Sequence, residues 1–383
     1  MFGMIFRKIF IFAVILFCGF ALSGCGIVDA AIENTWSAVG LTETGTVISQ
    51  TAQIRSSFAV VAADLLEVKR NETVEVLNET TFEQVLWYRV RAFDEDSTEG
   101  WIEAQHIIKG EALEKSRKLA EEDQRLQSQA TGKLRAASNL RLTPEQGEDN
   151  ILLRLDNGAI FDILAWNYVP KEEKEAEPED EDIKAAKEGE EKVEKLDEKY
   201  DMWYKVRLDP SVSPAPTGWI YGRQVALQVP GDIVYYQTNT RKFVTWQKLD
   251  DIDTVKGSTV GVETDVQVTK PGSWVILSRT NEVKAIDGKE PDFDGILILG
   301  FDKYNEEHYT VYSTTRSRID VWGQLPLKVE GVGDNKNFTV KLRNDATGEI
   351  EDVQFDLYKD KNKRLRTKIP PFLEKKVEDR KKK

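Results

Sequence analysis

The chain has 383 residues, with 53 Lys and Arg against 66 Asp and Glu, for a formal net charge of -13. That acidic balance argues against a nucleic-acid binder. With two Cys and two His in all, the body lacks the residues for thiol catalysis or a clustered histidine metal site.

From the start, Arg7 and Lys8 precede an apolar run from Ile9 to Leu22, which ends in Leu22-Ser23-Gly24-Cys25. A charged start, a short apolar middle and a small-residue end is the pattern of a cleaved export signal, and the run is too short to span a bilayer. The ending resembles the lipobox of bacterial lipoproteins. That resemblance implies cleavage after residue 24, acylation of Cys25 (palmitate among the acyl chains) and a mature protein held in the cell envelope. With Gly26 rather than Asp after the cysteine, it implies the outer membrane. Cys18 lies inside the signal, so no disulfide is expected in the body.

Residues 25–44 read as a tether, and from residue 45 short apolar alternations punctuated by turns predict β structure. Residues 111–131 hold a helical linker rich in helix formers. A second β segment covers 132–230, and a third, β-rich and without a recognised relative, covers 231–358. A charged, Pro-broken basic tail at 359–383 is expected to be solvated and drawn to anionic surfaces.

An internal repeat is the most informative feature. Leu86-Trp87-Tyr88-Arg89-Val90-Arg91 with Gly100-Trp101-Ile102 is matched by Met202-Trp203-Tyr204-Lys205-Val206-Arg207 with Gly218-Trp219-Ile220. Upstream, Ile54-Arg55 matches Leu140-Arg141, and the stretch from Asn71 to Leu77 matches that from Gly158 to Leu164. Alternation puts Tyr88 and Val90 on the core face and Trp87, Arg89 and Arg91 on the other. The second copy divides in the same way. Asn71 and Gly158 stand where a turn needs positive φ. The order of these marks resembles the bacterial SH3 domain over 45–110 and 132–228. It implies a mainly β protein of two tandem SH3-like small barrels joined by a helical linker, followed by a β-rich sheet or open barrel. The second copy carries an acidic insertion, 171–199, which reads as a solvated spacer.

In the third segment, strands are predicted at 242–247, 273–278, 295–301, 308–313, 325–329, 338–343 and 353–358. The wholly apolar run from Gly295 to Gly300 is expected to be buried on both faces.

Catalytic motifs are missing from the chain. His106 and His308 fall in different segments, and neither lies in a hydrolase motif. No catalytic residue, metal or cofactor is therefore expected. The resemblance implies a non-catalytic envelope protein that binds peptidoglycan or an envelope protein, with Trp87, Arg89, Trp101, Trp203, Lys205 and Trp219 as candidate contacts. Two alternatives stand beside it: a structural scaffold or spacer without a small ligand, and a wall hydrolase using paired carboxylates.

Overall fold

The computed structural model describes residues 43–171, 200–250, 271–280, 282–286, 288–332 and 335–381. The expected signal, Cys25, the tether up to residue 42 and the acidic insertion beyond Lys171 lie outside the described residues. The protein is mainly β, and its chain divides into two compact units, 1–112 and 113–383.

The first unit is one repeat copy, of strands β1 (Glu43–Val47), β2 (Thr51–Arg55), β3 (Asp64–Lys69), β4 (Thr73–Phe82), β5 (Val85–Ala92), β6 (Glu99–Glu103) and β7 (Ile107–Lys109). The second copy comprises β8 (Ala130–Leu134), β9 (Ser138–Arg141), β10 (Ile151–Leu155), β11 (Ile160–Pro170), β12 (Tyr200–Arg207), β13 (Thr217–Tyr221) and β14 (Val225–Leu227). The strand orders are β3-β2-β6-β5-β4-β1-β7 and β10-β9-β13-β12-β11-β8-β14, the same path traced twice. Even the irregularities coincide. The register shifts between Val76 and Asn78 in one copy and between Ile163 and Ala165 in the other, so a bulge bends the long strand at Leu77 and at Leu164.

The repeat's sequence marks have physical causes. Asn71 and Gly158 both adopt positive φ, 71° and 85°, as the turn chemistry anticipates. A Cβ on Gly100 would come within 2.5 Å of the Arg55 carbonyl oxygen, and one on Gly218 within 2.8 Å of that of Arg141. Glycine is what lets the strand carrying Trp101 or Trp219 cross its neighbour's backbone. Tyr88, Val90 and Ile102 join Val47, Ile54, Val74 and Val76 in the core of the first copy.

The linker helix α1 (Gly110–Glu122) is shorter than the expected 111–131. Past it, residues 127–129 run extended and are bonded into the rest of the second unit. Gln129 donates through Nε2 to the Leu327 carbonyl and accepts the Leu327 N–H at 2.8 Å, and Gln127 does the same with Val329. The end of the linker is thus held by the backbone of the third domain and not by the helix.

That domain contains all seven predicted strands: β15 (Lys242–Lys248), β16 (Trp274–Arg279), β17 (Gly295–Asp302), β18 (Glu307–Ser313), β19 (Gly323–Val332), β20 (Asn335–Arg343) and β21 (Ile350–Lys359). They form two four-stranded sheets, since β18 and β19 do not pair, and the second sheet is completed by an eighth strand, β22 (Leu365–Thr367), beside β21. A four-residue helix, α2 (Thr314–Ser317), follows β18. One core joins the sheets through Val275, Leu277, Ile296, Ile298, Phe338 and Phe355. The six residues from Gly295 to Gly300 are all buried, as expected of the apolar run.

The expectation of a solvated tail from residue 359 is overturned. Besides β22, the tail forms helix α3 (Pro371–Lys381), whose Leu373 is fully buried in that core with Phe372 and Val377 packed against it. Two of its cations pair with the rest of the fold, Arg364 with Asp302 and Lys376 with Asp345, and Arg366 pairs with Asp360 within the tail. The few apolar side chains, not the charge density, decide where this segment lies.

Candidate functional site: a cationic cleft on the second repeat copy

The six candidate contacts separate into distinct environments. Trp87 and Trp203 lie on the predicted outer face, yet are only 6% and 2% exposed. At that burial Trp87 is a packing residue rather than an open contact. Arg89 is exposed, but it pairs with Glu99, which together with Glu75 also holds Arg91. Arg91 in turn keeps the Glu99 carboxyl below its usual pKa, chiefly through their hydrogen bond.

In the second copy the same stripe is satisfied by the chain itself. Lys205 forms a 2.6 Å ion pair with Asp123, just past α1, and sits over the half-buried Trp219 ring at 5.8 Å. Arg207 donates to the carbonyls of Asp123 and Leu126, and the buried Ser116 of α1 donates to the Thr217 carbonyl. Lys205 and Trp219 thus dock the linker, and a ligand would have to displace it. Where Thr217 receives the helix, the first copy has Glu99, which neutralises its own arginines without one.

Trp101 belongs to a different cluster. Its ring meets Phe58 edge-on at 5.3 Å, and Phe58 also packs against Phe82 at 5.0 Å.

Trp203 does border a cavity. A cleft of about 370 Å³ opens beside it on the second copy, lined among others by Arg141, Arg154, Tyr221, Gln146 and Gln224. Trp203 and Tyr221 stand 5.3 Å apart at 53°, and Tyr221 is fixed by its hydroxyl donating to Asp201. Arg141 uses Nη1 to bond the Gly147 carbonyl and Asn150, and its Nε and Nη2 donors have no partner among the described residues. Arg154 projects from β10 toward solvent and has no hydrogen-bond or ion-pair partner among the described residues. Two guanidiniums, three side-chain amides and an aromatic wall, with no lining carboxylate among the described residues, make a receptor for a carboxylate or another oxyanion.

The first copy shows what this arrangement is not required to be. The matched registers put Glu67 where Arg154 stands, across from Gln53 as Arg154 is across from Asn139. They put Glu103 where Tyr221 stands, across from Trp87 as Tyr221 is across from Trp203. Gln53 donates to Glu67, and the Arg55 guanidinium is turned to Asp64 and to the carbonyls of Val60 and Ala62. One fold carries a cationic cleft in one copy and an acidic face in the other. Sequence reasoning passed over Arg141, Arg154 and Tyr221; the exchange of Glu67 for Arg154 is readable only once the strands are paired.

The two histidines do not meet this site. His106 Nδ1 bonds Ser49 and His308 Nε2 bonds the Gly272 carbonyl. Among the described residues no three His, Cys, Asp or Glu side chains gather as a metal site.

No family model and no curated protein matches the chain. Among solved structures it is similar to NlpC2 from Trichomonas vaginalis, with 10% identity and a TM-score of 0.15. The match covers 50% of this chain and 51% of that one, so the chain spans about half the length of that structure. At that TM-score the likeness transfers neither a site nor an activity to this chain.

Proposed function

We propose that this is a non-catalytic lipoprotein of the cell envelope whose second, SH3-like copy binds a carboxylate-bearing ligand, such as the peptide part of peptidoglycan, in the Arg141–Arg154 cleft. The observation that carries this reading is Arg154 beside Trp203, without a partner or a lining carboxylate among the described residues, on an otherwise acidic protein. A local positive field on a negative molecule selects anions and orients them. The rigid aromatic wall adds contact area at little entropy cost.

A wall hydrolase would need a carboxyl of raised pKa facing a second carboxylate across an open site. Asp292 is the one carboxyl raised by burial among the described residues, and it is bonded to the Leu325 N–H rather than set in a cleft. A structural spacer is the second reading. It is favoured by the way Lys205 and Arg207 are consumed in holding the protein's own linker.

The test is co-sedimentation of the mature chain, with Cys25→Ser to keep it in solution, with purified peptidoglycan. Arg154→Glu places the first copy's charge in the cleft and should reduce the pelleted fraction by about tenfold, the loss of one charge-assisted pair. The same binding by wild type and Arg154→Glu, or no pelleting by either, would favour the spacer.

A further inference from the structure

The loop between β2 and β3 of the first unit presents apolar side chains where a loop ordinarily presents polar ones. Its sequence is Ser56-Ser57-Phe58-Ala59-Val60-Val61-Ala62-Ala63. The Ala62 N–H bonds the Ala59 carbonyl, so Val60 and Val61 take the two corner positions of a tight turn. They are 84% and 93% exposed. Turn corners favour Gly, Pro, Asn, Asp and Ser for conformational reasons that Val does not share. The loop is well held: Ser56 and Ala63 bond each other, and Arg55 donates to the carbonyls of Val60 and Ala62. Phe58 at its base continues the apolar surface to Phe82 and Trp101.

The second copy provides an internal control. The matching loop, Leu142-Thr143-Pro144-Glu145-Gln146-Gly147-Glu148-Asp149-Asn150, joins the equivalent strands and has no aliphatic side chain at its tip, its one leucine standing beside the strand where Ser56 stands in the first copy. The fold therefore does not require valines at the tip, and the apolar loop is a property of the first copy alone.

From the geometry we infer that this Val60–Val61 turn beds into the surface of a lipid bilayer, the membrane that carries the acyl chains on Cys25. Two observations select lipid over a protein partner. The tip is aliphatic and carries no side-chain donor or acceptor for a protein partner to pair with, and the rings of Phe58, Phe82 and Trp101 behind it give the aliphatic-plus-aromatic face of an interfacial anchor. In addition, only residues 26–42 separate Cys25 from β1. Even fully extended, a segment of that length spans no more than about 60 Å, which keeps the first unit tied close to the acylated residue and makes weak insertion effective. The inference rests on the export and acylation reading of Cys25 and not on the cleft of the second copy.

The body contains no cysteine beyond Cys25, so one label can report on the turn. The mature chain, with Cys25→Ser and Val60→Cys and an N-terminal histidine tag, is attached to nickel-chelating vesicles of phosphatidylethanolamine and phosphatidylglycerol. A fluorophore at position 60 should become about fivefold less accessible to aqueous iodide on the vesicles than in solution, as for a side chain seated in the headgroup region. Val61→Asp in the same protein should restore full accessibility while leaving the melting temperature unchanged, since that side chain is outside the core. Accessibility that does not change on bare vesicles, or that falls only when envelope proteins are added, would overturn the inference. The peptidoglycan experiment contains no lipid, so the two readings fail independently.

Discussion

Asp292 illustrates a charge placed at a cost. Burial pushes its carboxyl pKa above the usual range, while the Leu325 N–H, the Arg279 charge and the nearby Trp166 indole pull it back. The indole N–H faces it without forming a full hydrogen bond. A carboxyl whose pKa is raised on folding contributes stability below its unfolded pKa and loses it as pH rises through the folded one. Asp292→Asn, which keeps an acceptor for Leu325, should therefore melt higher than wild type at pH 8. The gap should narrow as pH falls below about 4, where Asp is protonated in both states. A gap that is constant with pH would show that Asp292 is not titrating in this way. Tyr312 is a quieter case: burial raises it to about 12, and it stays neutral throughout this range.

At the scale of elements, one strand position has two uses. Arg89 and Arg91 meet carboxylates from neighbouring strands, while Lys205 and Arg207 meet the end of a helix. The segment after that helix acts as a clamp because glutamine offers a donor and an acceptor at one side-chain end. Gln129 is 1% exposed, so Gln129→Ala would leave the Leu327 N–H and carbonyl buried without partners. That should cost roughly 2–4 kcal/mol and accelerate hydrogen exchange at the Leu327 amide. An unchanged exchange rate there would remove the clamp from the account. The tail departs from the solvated state its charge density predicts for a related reason. Leu373 and Val377, one helical turn apart, are the apolar marks of α3 amid Lys and Glu, too few to register against the charge.

Considered whole, the protein has two compact units, and the third domain shares the second with a repeat copy. Scanning calorimetry of the mature chain should resolve two transitions. Trp87→Ala should lower one of them. Trp203→Ala and Leu373→Ala, though in different domains, should both lower the other, each by about 2–5 kcal/mol. If those two variants shift separate transitions, the second unit is not cooperative.

The amino-acid sequence on its own determined the repeat, its turns, the seven strands of the third domain and the buried apolar run. All of these are local, written in alternation, in turn residues and in positions where a side chain does not fit. Only the tertiary structure decided which Trp faces are open, that Arg154 replaces Glu67, that the linker ends in a glutamine clamp and that the tail completes a core. Each of those depends on which distant segments come to lie side by side, and pairing between remote strands leaves no mark on either strand alone.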